Sequence, residues 1–174
     1  GPVRGQGLVD LEGSTQAPGQ TRGSWDVAVD IENGGLNAGL ALEQIRGEIR
    51  LVGQFGPQGV LSRGELLVDS LLCRGIQFAS IRGPISFANQ QIVLGNAWAP
   101  QQLRAGQVRP LTAQVFQGTL VADAVIALGD DIGFRTEALL TDADLALLAR
   151  EALARRQDIV GKASAAIRLE GNTR

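Results

Sequence analysis

The stretch GSWDVAVDIEN, residues 23–33, places Trp25, Val27, Val29 and Ile31 on one parity and Asp26, Asp30 and Glu32, with Ala28, on the other. Successive side chains of a strand point to opposite faces, so this alternation predicts a strand with one apolar and one wet face. The same pattern recurs along the chain. In IRGEIRLVG, residues 45–53, Ile45, Ile49 and Leu51 oppose Arg46, Glu48 and Arg50. From Phe116 to Leu128 a single long strand is expected, with Phe116, Leu120, Ala122, Ala124, Ile126 and Leu128 on one side and Gln117, Thr119 and Asp123 on the other. Gly129-Asp130-Asp131 supplies turn chemistry, and Ile132, Phe134, Ala138 and Leu140 then oppose Arg135 and Glu137, which makes residues 111–140 a hairpin.

Between Leu66 and Leu94 the parity changes: Ile76 and Phe78 fall on one set, Ile81, Ile85 and Phe87 on the other. A bulge or turn near Arg82-Gly83-Pro84 is expected, because one extra residue exchanges the faces of all that follows. Residues 97–110, with two prolines and several glutamines, read as a loop in which Trp98 is a packing anchor. Only TDADLALLAREALARR, residues 141–156, has helical spacing, with Leu145, Leu148, Ala149, Ala152 and Leu153 on one stripe. Thr141 and Asp144 have capping-box spacing, and Arg155 and Arg156 suit the other end. A final strand over 159–171 turns Ala163, Ala165, Ile167 and Leu169 one way and Ser164, Arg168 and Glu170 the other.

Strings entered and closed by glycine repeat: VRGQGLVDLEG from Val3, IRGEIRLVG from Ile45 and VGKASAAIRLEG from Val160. Repeated strand units without a strict longer period predict a mainly β fold: a long curved antiparallel sheet, either an open groove or a partly closed sandwich, with one short α-helix near the C-terminus. Gly1-Pro2 reads as a tag remnant, and residues 3–174 as a single β-rich domain cut from a larger protein, with a first group of strands over 3–96.

Composition narrows the function. The 174 residues are 44% hydrophobic and 20% charged, an ordinary folding mixture, with net charge −2 and basic residues scattered singly. Nucleic-acid binding needs a clustered basic face with stacking aromatics, so no nucleic-acid partner is expected. No apolar run reaches the roughly 18 residues of a membrane span. The chain has no histidine, which removes Ser-His-Asp and Cys-His triads, and one cysteine, Cys73, which suits a small half-buried packing residue.

Carboxylates remain to be weighed. Asp26, Asp30, Glu32, Glu48, Asp10 and Glu12 fall on the polar parity of their strands and read as solvated faces rather than a glycosidase pair. Asp130, Asp131, Asp142 and Asp144 fit a turn and a helix start and form no calcium loop. No glycine-rich phosphate cradle is present. A non-enzymatic chain without metal or cofactor is expected.

The C-terminal third, VFQGTLVADAVIALGDDIGFRTEALLTDADLALLAREAL followed by DIVGKASAAIRLEG, resembles the C-terminal repeat of the AsmA-like (TamB-type) envelope protein family. The matching positions are Asp142, Asp144 and Leu145, then Gly161, Leu169 and Gly171, and residues 45–85 look like the family's preceding strands. The resemblance implies a groove-shaped sheet in the periplasm, in a parent protein anchored at the inner membrane outside this segment. It implies a role in carrying phospholipid between membranes or in outer-membrane biogenesis, with acyl chains and neighbouring repeats of the parent chain as partners. The groove wall would comprise Trp25, Val27, Val29, Ile31, Ile49, Leu51, Phe116, Leu120, Ile126, Ile132, Phe134, Ile167 and Leu169. The alternative is a structural or adhesive β-domain of a surface protein whose apolar face is a closed core. Exposed sheet edges also predict edge-strand dimerisation in vitro.

Overall fold

The computed structural model of the chain describes residues 3–13, 21–37, 41–57, 59–95, 109–129, 132–151 and 159–173. Gly1-Pro2, Trp98 with most of the expected loop, Asp130-Asp131, and the expected helical residues beyond Glu151 lie outside them. The strands are β1 (Val3–Gly13), β2 (Thr21–Asn37), β3 (Ala41–Gly56), β4 (Gly59–Cys73), β5 (Ile76–Ala88), β6 (Gln91–Leu94), β7 (Leu111–Val115), β8 (Gly118–Ala127), β9 (Ile132–Asp144) and β10 (Lys162–Thr173), with one helix, α1 (Leu145–Glu151). All ten strands join one antiparallel sheet in the order β1-β2-β3-β4-β5-β6-β8-β9-β10, with β7 also seated between β5 and β8. The mainly β, single-sheet reading of the sequence is what the chain forms.

Tight turns set the register. Arg74-Gly75, Asn89-Gln90 and Phe116-Gln117 each join paired strands with both residues at positive φ, the geometry whose twist matches flanking strands. The third corrects the sequence reading. Phe116 does not open a strand running to Leu128; it sits at φ 50 in the turn between β7 and β8, so residues 111–144 form two successive hairpins. Left-handed backbone costs a non-glycine residue roughly 1–2 kcal/mol. Packing of the Phe116 ring against the cluster of Val115, Leu140 and Ala143 offsets it.

The helix is also shorter than its periodicity suggests. Thr141 to Ala143 stay in β9, where Thr141 pairs with Thr119 and Ala143 with Ala163, because two ladder neighbours satisfy more backbone groups than an extra helical turn would. The cap is therefore Asp144 rather than Thr141: its Oδ1 accepts from the amides of Ala146 (2.8 Å) and Leu147 (3.0 Å).

A crease crosses the sheet. The β2–β3 register slips between Ile31 and Leu36, β3–β4 between Glu43 and Gly47, β5–β7 between Ala79 and Arg82, and β9–β10 between Ala163 and Ala165. At this level Asn33, Gln44, Ser80 and Asp142 adopt φ of 54, 52, 52 and 57. An extra residue bends a strand, and bulges aligned across neighbours bend the whole sheet. Inward side chains straddling the line are consequently three apart: Leu42 and Ile45, Val68 and Leu71, Phe78 and Ile81, Leu140 and Ala143, all of them in the two core clusters. The parity change read in the sequence is real, but its centre is Ser80 rather than Arg82-Gly83-Pro84.

The sheet is a single layer. Its extensive contacts run only between neighbouring strands, apart from those of α1 with β9. Burial is nonetheless unequal on the two faces. Val52, Leu61 and Leu139 on one face are 53%, 49% and 48% exposed, whereas Val27, Leu51 and Leu66 on the other are half-buried and Val68 and Ile81 are each 5% exposed. With no described second layer to cover that face, curvature toward it accounts for the difference.

Candidate functional site

Directly paired residues of an antiparallel sheet share a face, so the register identifies the concave surface residue by residue. One row runs Trp25, Gly53, Ser62, Phe87, Ile92, Ile126, Phe134, Gly171. The next runs Val27, Leu51, Gly64, Ile85, Leu94, Ala124, Thr136, Leu169. A third holds Val29, Ile49, Leu66 and Gly83, then Leu111, Ala122, Ala138 and Ile167, and a fourth, at the crease, includes Ile31, Val68, Ile81, Leu120 and Leu140. Among these positions only Trp25, Ser62 and Thr136 carry a polar side-chain atom, and none carries a charge. Ser62 is buried and its hydroxyl donates to the carbonyl of Val52 at 3.3 Å, so it offers no free polar group.

The surface is also smooth. Trp25 lies over Gly53, where a Cβ would come within 2.2 Å of the indole, and Phe134 lies over Gly171, where it would come within 2.6 Å of the ring. Aromatic rings over glycines fill the gap that a missing side chain leaves in a sheet. Trp25 and Phe55 stack with ring centroids 6.4 Å apart. The result is an apolar trough spanning eight strand positions, β2 to β10, about 34 Å at roughly 4.8 Å per step.

Eleven of the thirteen wall residues expected from sequence share this surface: Trp25, Val27, Val29, Ile31, Ile49, Leu51, Leu120, Ile126, Phe134, Ile167 and Leu169. Phe116 lies in the turn at the trough's end, and Ile132, the first residue of β9, pairs with Thr173 but its side chain lies outside the described set. Sequence reading missed Leu66, Val68, Ile81, Ile85, Phe87, Ile92 and Leu94. The alternation of Ile81, Ile85 and Phe87 was legible, but the pairing of β4, β5 and β6 is what places these residues on the trough face. The trough is barer towards β10, where Ile167 is 40% and Leu169 47% exposed.

Across the strands of these rows, the described charged side chains fall on the outer face. Arg50 binds Glu48 at 2.6 Å, Arg168 binds Glu137 at 2.6 Å, Arg135 binds Glu170 at 3.2 Å, and Arg109 binds Glu65 at 2.5 Å. The hydrogen bond from Arg50 holds the Glu48 carboxyl below its ordinary range. Asp26, Asp30 and Glu32 are exposed on that same side of β2. Between β8 and β10 a shallow, open depression there is lined by Val121, Asp123, Glu137, Leu139 and Arg168. Glu137 and Arg168 there are tied to each other.

No family model, curated protein or solved structure matches the chain. The site must therefore be judged by its own chemistry. Among the described residues no three His, Cys, Asp or Glu side chains gather as metal ligands. Cys73 is half-buried beyond the crease, opposite Leu42 and Ile76. What the trough presents, among the described residues, is a broad apolar surface without charge.

Proposed function

We propose that the trough accommodates lipid acyl chains, and that the chain is a non-catalytic segment of an AsmA-like cell-envelope protein moving phospholipid between membranes or serving outer-membrane biogenesis. The supporting observation is a concave face, eight strand positions wide, with no charged side chain among its described residues and no described layer covering it. Large exposed apolar patches are rare on monomeric soluble proteins and mark binding surfaces. Each acyl CH₂ withdrawn from water contributes roughly 0.8 kcal/mol. Without a fixed polar anchor the contacts are repeated and interchangeable, which suits a ligand that slides. The likeness of residues 115–171 to the AsmA-like repeat supplies the setting: the periplasm, with the parent protein anchored in the inner membrane.

The rival reading is a structural or adhesive β-domain that binds another protein. It draws on Val52 and Leu61, exposed close together on adjacent strands of the outer face. Native mass spectrometry and lipid extraction of the purified chain separate the two. Co-purifying phospholipid, lost when Val29 and Ile49 are both replaced by glutamate, supports the trough. Complete absence of lipid from a folded sample, together with failure to take up added phospholipid, rejects it.

A further inference from the structure

β6 and β7 occupy a single strand position: both lie between β5 and β8, and both run antiparallel to each. Their registers agree to the residue. On the β8 flank, Leu94 and Leu111 stand opposite Ala124 and Ala122, two ladder positions apart but 17 apart in sequence. On the β5 flank, Leu94 and Thr112 stand opposite Ile85 and Arg82, three positions apart but 18 apart in sequence. Each flank gives the same excess, 15 residues.

The junction is built for a break. Gly95 fills the one intervening position, its N–H donating to the carbonyl of Pro84 at 2.9 Å. A residue in an antiparallel strand directs its N–H and C=O to the same neighbour. Pro84 has no N–H to give, so the missing donor faces the place where the ladder is interrupted. At Gly83 a Cβ would meet the Leu111 Cα at 2.9 Å, so the returning chain lies flush against β5. Arg109, two residues before re-entry, is held on the outer face by Glu65, the partner of Pro84 on β4.

We infer that residues 96–110 are an insertion into one strand, Gln91–Gly95 continued by Leu111–Val115, and that sheet and trough are complete without them. Gly95 joined to Leu111 keeps the alternation, with Leu94 and Leu111 inward and Gly95 outward. The register part stands on pairing alone; the claim for the trough rests on the lipid reading above.

Three deletions test it: residues 96–110, residues 96–109, and residues 95–110. The 15-residue deletion is expected to unfold in one cooperative urea transition at the full chain's midpoint or above, with an unchanged β circular-dichroism spectrum and the same load of phosphatidylglycerol per chain. The 14- and 16-residue deletions turn Leu111, Ala113 and Val115 to the wrong face, and both are expected to unfold at lower urea. If the 15-residue deletion is no more stable than its two neighbours, the insertion is overturned. If it folds like the full chain but loses lipid that the full chain carries, the completeness of the trough is overturned. If neither carries lipid, the lipid reading fails while the insertion is judged on the unfolding data.

Discussion

Truncating Ile81 to alanine, against the same truncation at Leu139, measures how far the two faces of the sheet differ. Both residues lie in interior strands, so the loss of β-propensity on going to alanine is similar and cancels in the comparison. Ile81 is 5% exposed and packs with Ile45, Val68 and Ala113 at the crease, whereas Leu139 is 48% exposed on the outer face. Large-to-alanine changes in a closed core cost about 2–5 kcal/mol. The trough is open on one side and can relax or hydrate, which places Ile81→Ala at the lower end, about 2–3 kcal/mol. Leu139→Ala gives up a side chain already half in water and should cost under about 1 kcal/mol. Stability of a domain is only about 5–15 kcal/mol, so the difference is large. With a urea m-value of about 1–3 kcal/mol/M, Ile81→Ala should lower the midpoint by roughly 1–2 M without changing the slope. Equal losses at the two positions would refute the concave face, since they would mean that both sides of the sheet are equally packed.

Other consequences follow from single positions. Gly53→Ala drives a Cβ into the Trp25 indole, which must move; a loss of about 1–3 kcal/mol and a red-shifted tryptophan emission are expected, and an unchanged spectrum would contradict the ring placement. Gln90 is exposed at φ 59 in a two-residue turn, so Gln90→Gly, which creates the favoured Asn-Gly pair, should stabilise the chain by about 1 kcal/mol in thermal or urea unfolding. Glu48 has a folded pKa lowered from 4.5 by its hydrogen bond from Arg50. Its contribution to stability is thus fully present above pH 4.5 and lost as pH falls through the lowered value. Glu48→Gln should lower the neutral-pH melting temperature slightly and leave that near pH 3 almost unchanged, which flattens this part of the acid destabilisation.

The strands were legible because one face is wet and the other is not: Asp26 and Asp30 between Val27, Val29 and Ile31 leave little choice. Three features were hidden, each for a physical reason. The turn at Phe116-Gln117 carries neither glycine nor asparagine, the usual marks of positive φ, since packing of the ring rather than backbone preference holds it there. The crease in β2 and β3 passes at Asn33 and Gln44 through exposed polar residues, so the sequence shows nothing but a polar position. The start of the helix was misjudged because Thr141 to Ala143 fit either period, and pairing to β8 and β10 decides between them. The trough itself was half visible. Its outer strands could be listed from parity, but its middle, β4 to β6, depended on registers that only the folded sheet supplies.

Trp25 provides the most direct measurement, because its ring forms part of the trough surface and stacks on Phe55. With Trp98 replaced by phenylalanine, Trp25 is the sole tryptophan. Titration with phospholipid brominated along its acyl chains should quench its emission in a saturable way, and unbrominated lipid should compete. Unaltered emission at saturating brominated lipid, in a sample whose circular dichroism shows the folded sheet, would contradict the trough as a lipid-binding surface.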